Sequence, residues 1–275
     1  MSGRKKLLIF VLLGVFIVSS YVLTSRYMGY KKGEKLYEEA IDKYVITPPE
    51  NKTDDSQDDL PEASQNQPES PVQKEPAASA LTMDFDALSK LNTDIIGWIK
   101  IPDTNINYPL LQGDTNDTYL RHAYNGTYSR MGSIFMDYRC SPDFSGSNTI
   151  IYGHNMRNST MFSRLLKYEN QSFFESHPYF YIYTAEGYMK YAIFSCYMLT
   201  LPSDTYTIAF NSDKVFGDYI TTVLARSSVS TGTIPSESDK LVTLSTCSST
   251  NAEQDRFVVH GYLVEDSRAS STPAP

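Results

Sequence analysis

The chain has 275 residues with 24 basic and 32 acidic side chains, a formal charge of −8. That length holds one or two domains, and the acidic balance argues against nucleic acid or anionic lipid as partners, since both are held by basic patches. Its three cysteines, Cys140, Cys196 and Cys247, are an odd number, so at least one thiol is unpaired and a disulfide framework does not account for them.

From the N-terminus, Leu7 to Ser25 (LLIFVLLGVFIVSSYVLTS) carries no charge and is about the ~20 residues a helix needs to cross a bilayer. Arg4, Lys5 and Lys6 precede it, which by the positive-inside rule keeps the N-terminus in the cytoplasm. The expectation is a cytoplasmic tail (1–6), a single-pass signal-anchor helix (7–26) in the cell membrane and an extracellular remainder. A cleavable signal peptide is the rival, disfavoured by the long apolar run and the lack of an A-x-A-like site. Setting aside the anchor and its flanking cations leaves 20 basic against 32 acidic residues, a formal charge of −12. Outside the cell a free thiol is a liability unless it is buried or used.

Residues 27–46 repeat Leu36, Ala40, Ile41, Tyr44 and Val45 on one helical stripe, read as a juxtamembrane stalk or a helix near the lipid surface. Residues 47–80 hold six prolines, eight acids, two lysines and no aromatic residue. Such a segment buries too little apolar surface to offset its ordering entropy, so the expectation is a disordered linker that holds the remainder away from the membrane.

The compact part is expected over 81–275. DFDALSKLN (84–92) predicts a short helix with Phe85, Leu88 and Leu91 on one face. Eight β-type runs follow: IIGWIKI, NINYPLL, GSIFMDY, NTIIYG, YFYIYT, MKYAIFSCYML, KLVTLST and RFVVHGYLV. Two helical patches interrupt them. STMFSRLLKYE (159–169) has Ser159 placed as an N-cap with Met161, Phe162, Leu165 and Leu166 inward. DKVFGDYITTVLARS (213–227) puts Val215, Phe216, Tyr219, Ile220 and Leu224 on one side. The fold class is mostly β with helical inserts, a closed or nearly closed barrel of about eight strands.

Cys247 falls just past KLVTLST, and Arg256 starts the last β run. If these strands are antiparallel neighbours, thiol and guanidinium come within about one strand spacing, ~5 Å. The cation then favours the thiolate and can donate to an oxyanion formed by sulfur attack on a carbonyl. The plain alternative is a buried small hydrophobe and a surface cation. A thiol nucleophile works with a histidine. His154 in NTIIYGHNM follows an apolar strand and a glycine that permits a sharp turn, which fixes the ring. His122 and His177 sit in turn-like contexts, and His260 lies inside the last strand as a packing residue.

TLSTC with Arg256 nine residues on, and YGHN upstream, resembles the sortases, the Gram-positive cell-surface cysteine transpeptidases. NTDIIGWIKIPDTNINYPLLQGDTNDTYL, GSIFMDY, TIIYGHNM, MFSRLLKY and RFVVHGYLV extend the resemblance over roughly 84–264 and point to the class B branch. The resemblance implies a sortase-type barrel in which Cys247 is the nucleophile. It would attack the Thr carbonyl of an LPxTG- or NPxTN-like signal, forming a thioacyl-enzyme. His154 would be general acid and base, and Arg256 would hold peptide and oxyanion. An amine of the peptidoglycan precursor, or a pilin lysine, would resolve the intermediate. Asn116, Leu120, Tyr152 and Ser245 would line the peptide groove, with 200–235 as a selecting wall. Some class B members carry an acid two residues after the cysteine; here Ser249 stands there, which puts any role for such an acid in doubt.

The implied partners are surface proteins with a C-terminal sorting signal and an acceptor amine, with no nucleic acid. No cofactor or metal is implied, since C-x-x-C, H-E-x-x-H and Gly-rich phosphate loops are lacking. A cysteine endopeptidase without acceptor amine and a non-catalytic surface-binding barrel are the rival readings. Whether Cys140 and Cys196 are paired stays open.

Overall fold

The structure, a computed structural model, describes residues 3–46, 81–247 and 254–270. The proline-rich segment 47–80 and Ser249 lie outside the described residues.

Eight strands close a mixed barrel: β3 (Ile95–Lys100), β4 (Asn107–Leu111), β5 (Ile134–Met136), β6 (Asn148–Tyr152), β7 (Tyr179–Thr184), β8 (Gly187–Thr200), β9 (Leu241–Cys247) and β10 (Asp255–Asp266). Around the barrel they run β10-β8-β7-β3-β4-β5-β6-β9, with β9 returning to β10. Two joints are parallel, β4 with β5 and β6 with β9. Each of the eight β-type runs of the sequence supplies one strand. Closure leaves no edge for another chain to extend.

The core is filled from these strands and the loops between them. Trp98, Ile99, Leu110, Ile150, Phe180, Tyr191 and Phe257 are fully or almost fully buried. The indole of Trp98 donates to Asn107 Oδ1 at 2.6 Å, so its polar edge is satisfied. Helix α4 (Asp213–Ala225), capped by Ser212, packs Phe216, Tyr219, Ile220 and Val223 against Phe194, Tyr197 and Val258 in a second cluster. Its inward face differs slightly from the sequence pattern. Val215 is exposed, and Val223 rather than Leu224 is the fully buried residue of the last turn.

Other local differences have simple causes. The segment after Met161 is a 3-10 helix (Phe162–Glu169), and Ser159 is not its cap. Ser159 and Met161 both have positive φ, +63° and +56°, so the chain turns through this point instead of entering a helix from an extended residue. Helix α2 (Phe85–Leu91) forms as expected, with Asp84 accepting from Ala87 N at 2.9 Å, but Leu91 is exposed at the end of its face.

Helix α1 (Gly3–Tyr44) is continuous for 42 residues, about 63 Å at 1.5 Å per residue. Its first half is long and apolar enough to cross a membrane, and its side chains over Ile9–Leu23 are largely exposed. One face of its second half packs on the barrel. Tyr37, Ala40 and Tyr44 are buried in the barrel's own core cluster, and Leu36, Ile41 and Val45 pack beside them. The stripe read from the sequence is real; its partner is protein. Strand β1 (Val45–Ile46) then pairs antiparallel with β2 (Thr82–Met83). The chain therefore leaves and re-enters the fold at adjacent points. The spacing between α1 and barrel is set by their direct packing, not by the length of 47–80.

Candidate active site

Three adjacent strands present their ends at one mouth of the barrel. In the parallel β6–β9 ladder Tyr152 is opposite Ser245. His154 lies two residues beyond Tyr152 and Cys247 two beyond Ser245, both just past that last pair of the ladder. The antiparallel β9–β10 ladder pairs Cys247 directly with Arg256. Cys247 is the last residue of β9 itself, so the strand runs one residue further than the sequence suggests, because the ladder with β10 continues to that pair.

The mouth opens into a cleft of about 270 Å³. Asn116, Leu120, Tyr152 and Ser245, the four groove residues expected from the sequence, line it together with His154 and Arg256. Phe135, Leu201, Tyr206 and Thr246 line it too, and sequence reasoning did not single them out. The rings of Phe135, Tyr152 and Tyr206 form a continuous aromatic wall, with centroids 5.4 and 6.1 Å apart. Tyr206 and Ser245 share a hydroxyl–hydroxyl hydrogen bond of 2.8 Å. The 200–235 region thus reaches the cleft through Leu201 and Tyr206. Thr246 Oγ1 is buried and, among the described residues, is the buried side-chain polar atom without a hydrogen-bond partner.

His154 is partly exposed, and its Nε2 lies 2.8 Å from the Leu120 carbonyl. A carbonyl only accepts, so Nε2 carries the proton and Nδ1 is the basic nitrogen of the neutral ring. The glycine before it works by space. A Cβ on Gly153 would stand 2.5 Å from Ile134 Cδ1 and 2.7 Å from the Phe162 ring, and its φ lies outside the left-handed region. Close approach, not a turn that only glycine can make, sets that position. Gly153 N also donates to Ser245 O at 3.1 Å, which carries the β6–β9 pairing one step toward the histidine.

Beneath the cleft lies Asp137, fully buried at the end of GSIFMDY. Its carboxylate receives Arg139 Nε and Nη2 at 2.9 and 2.8 Å, Tyr152 Oη at 2.9 Å and Asn116 Nδ2 at 3.1 Å. Burial works against its ionisation, but these donors prevail and hold its pKa at about 2. Burial and the Asp137 charge in turn push the Tyr152 hydroxyl well up, so it stays a neutral donor. Asn116 is fixed at both ends, since its Oδ1 accepts from Tyr138 N at 3.1 Å. An acid interrupting an apolar strand run was the signal for Asp137 in the sequence.

The remaining candidates fall away. Cys140 and Cys196 are buried free thiols, not a disulfide. Burial raises both, Cys196 to about 12, so neither supplies a thiolate. His260 is buried between Thr243 and Tyr197, and burial lowers its pKa to about 3. His122 and His177 bond local carbonyls, at Thr118 and Phe173. Asp255 accepts from Thr200 Oγ1 at 2.8 Å, and its carbonyl accepts from Arg256 Nη1 at 3.0 Å.

A family model described as the sortase domain matches residues 99–264, which span all eight barrel strands except the first residues of β3 and the last of β10. The chain belongs to the sortase family. Its curated relatives place it in the class B branch of these cysteine transpeptidases. Sortase B of Listeria monocytogenes is 41% identical over 180 residues, covering 64% of this chain and 72% of the relative. Sortase B of Staphylococcus aureus is 35% identical over 175 residues, with the same coverage. Among solved structures, Bacillus anthracis sortase B in complex with AAEK1 matches with a TM-score of 0.68 at 32% identity, over 87% of this chain and all of that one. A Staphylococcus aureus sortase B–substrate complex matches with a TM-score of 0.63 at 35% identity, over 66% and 85%. The sortase barrel is thus the closed eight-stranded barrel described above.

Proposed function

We propose that this sortase cleaves an LPxTG- or NPxTN-like sorting signal after its threonine and joins the new carboxyl end to an amine of the cell-wall precursor. The observation that carries the reading is the register: β9 and β10 pair Cys247 with Arg256, β6 and β9 pair Tyr152 with Ser245 two residues before His154 and Cys247, and His154 and Arg256 line one cleft.

The Cys247 thiolate attacks the threonine carbonyl, and Arg256 donates to the oxyanion that forms. Protonated His154 gives its proton to the departing amine, the C–N bond breaks and a thioester remains. The acceptor amine then attacks the thioester, His154 takes its proton, and the C–S bond breaks to return the thiolate. The cleft supports peptide binding. Its aromatic wall suits the apolar and proline residues of such a signal, and Asn116, Leu120, Tyr152 and Ser245 lie along it. That a Staphylococcus aureus sortase B of similar fold was solved as a substrate complex supports substrate binding by this barrel. Helix α1 acts as a single-pass anchor with its N-terminus inside and the barrel outside, where substrate and lipid-linked acceptor meet at raised effective concentration.

The test is turnover of the full chain in detergent with a panel of LPxTG- and NPxTN-type peptides, with triglycine or diaminopimelate, and with a pilin-type lysine peptide. An amine-joined product names signal and acceptor. Cleavage at the same rate with and without every amine makes the enzyme an endopeptidase. Joining to the lysine peptide alone makes it a pilin polymerase. Loss of product in Cys247→Ala, His154→Ala and Arg256→Ala with unchanged circular dichroism assigns the three roles; full turnover in any one removes that residue.

A further inference from the structure

We propose that the barrel-bound half of α1 is a positioning element for the active site, in which Tyr37 and Glu34 each hold one of the two segments that frame His154. The inference rests on the reading of His154 as acid and base.

The first segment is 118–122, whose Leu120 carbonyl receives His154 Nε2. Two nearby carbonyls of this segment, one before Leu120 and one after it, are pinned by one residue. Ser133 N donates to Tyr119 O at 2.9 Å, and Ser133 Oγ donates to His122 O at 2.8 Å. Gly132 lies directly under this segment with φ +56°, and a Cβ there would stand 2.6 Å from Tyr119 O and 2.7 Å from Leu120 O. The Gly132–Ser133 turn is therefore the floor on which the Leu120 carbonyl rests. Its far side is closed by α1. The Tyr37 hydroxyl, in a side chain only 3% exposed, donates to Gly132 O at 2.5 Å and lies 3.1 Å from Ser133 Oγ.

The second segment is the loop that follows His154. Its base is tied by Phe162 N donating to His154 O at 3.0 Å, by the Asn155–Met161 bridge, and by Met161 N donating to the Tyr108 hydroxyl at 3.0 Å. The Tyr108 ring meets that of Tyr37 edge-on at 5.3 Å. At the tip, Asn158 Nδ2 donates to Glu34 Oε1 at 2.7 Å, while its Oδ1 accepts from Thr160 Oγ1 at 2.7 Å. Lys31 holds Glu34 from the other side at 2.8 Å.

Glu34 and Tyr37 are i and i+3, neighbours on one helix face. That face touches both supports of the imidazole, one through a carboxylate and one through a phenol. Plain docking of the helix would need only the apolar contacts of Ala40 and Tyr44, and Tyr44 meets Tyr124 with no bond to either framing segment. Because α1 runs unbroken into the apolar stretch, the geometry of His154 is referred to the same rigid rod that reaches the membrane. Small displacements at a reacting group cost rate far more than binding.

The test uses the full chain in detergent micelles and whichever panel peptide the wild type turns over fastest, with triglycine as acceptor. Tyr37→Phe and Glu34→Ala are each expected to lower kcat roughly tenfold with KM within about twofold. Glu34→Gln keeps an acceptor for Asn158 and is expected to restore kcat to within about twofold of wild type. Tyr44→Leu is expected to lower the melting temperature and leave kcat at 25 °C unchanged. Hydrogen exchange is expected to quicken over 118–122 in Tyr37→Phe and over 154–162 in Glu34→Ala. Unchanged kcat in both α1 variants, or an equal loss in Tyr44→Leu, overturns the inference even where His154→Ala is inactive. Full activity of His154→Ala overturns the underlying reading instead.

Discussion

Tyr152 donates its hydroxyl to Asp137 Oδ2 at 2.9 Å, and the same oxygen receives Asn116 Nδ2 at 3.1 Å. Two cleft residues from different segments are thus oriented by one buried carboxylate, which spends their polar groups on the protein and leaves the Tyr152 ring as wall.

Asp137→Ala removes that common acceptor. Each orphaned donor costs about 1–3 kcal/mol, and the freed ring and amide are expected to raise KM for the signal peptide about tenfold with a smaller change in kcat. The acid limb carries a second signature. Asp137 has a folded pKa near 2, below its ordinary 3.8, so its contribution is present above about pH 4 and is lost as pH falls toward 2. Thermal melts of Asp137→Asn between pH 4 and 2 are expected to be flatter than those of the wild type; parallel slopes would remove the carboxylate from this role.

His260 gives the opposite residue type and the same sign. Its folded pKa, about 3, lies below the ordinary 6.5 because burial disfavours the cation. Between those values the unfolded chain binds the proton and the native one does not, so stability falls as pH drops from about 6.5 to about 3. His260→Gln, which keeps a polar partner for Thr243, is expected to melt with a weaker pH dependence across that window.

Two of the three thiols are shielded. Cys140 and Cys196 are buried and their pKa values raised, so brief iodoacetamide treatment of the native chain at pH 8 is expected to alkylate Cys247 alone. Peptide mapping reads the result; labelling of Cys140 or Cys196 at a comparable rate would contradict it.

Gly153→Ala places a methyl against Ile134 and the Phe162 ring, where the gaps are 2.5 and 2.7 Å. Overpacking of this kind costs about 1–3 kcal/mol, roughly 3–10 °C in melting temperature for a domain of this size. The shift falls beside His154, so kcat is expected to drop by more than the population of folded protein does.

Much of this was legible in the chain because the relevant signals are local. Eight β-rich runs bounded by turn residues gave eight strands, and a cysteine and an arginine at the ends of the last two became a register pair. The groove residues Asn116, Leu120, Tyr152 and Ser245 line one cleft: the parallel β6–β9 joint sets Tyr152 opposite Ser245, while Asn116 is tied to Asp137 and Leu120 to His154. What escaped the reading depends on contacts far apart in sequence. Tyr206 reaches the cleft through a hydrogen bond to Ser245 across 39 positions, and Tyr37 reaches Gly132 across 95. A helical stripe states that a face is buried but not what covers it, so the second half of α1 read as a stalk. Ser159 read as a cap because its residue type suits one, whereas its positive φ does not.

The central claim is that Cys247 carries the acyl group between signal and amine. The most direct measurement is the intact mass of the full chain after brief mixing with signal peptide in the absence of amine, followed by addition of triglycine. The account predicts an adduct equal to the peptide up to its threonine, mapped to Cys247, that disappears on amine addition as the joined product forms. Turnover of the same peptide with no adduct on Cys247, or an adduct that survives the amine, would contradict it.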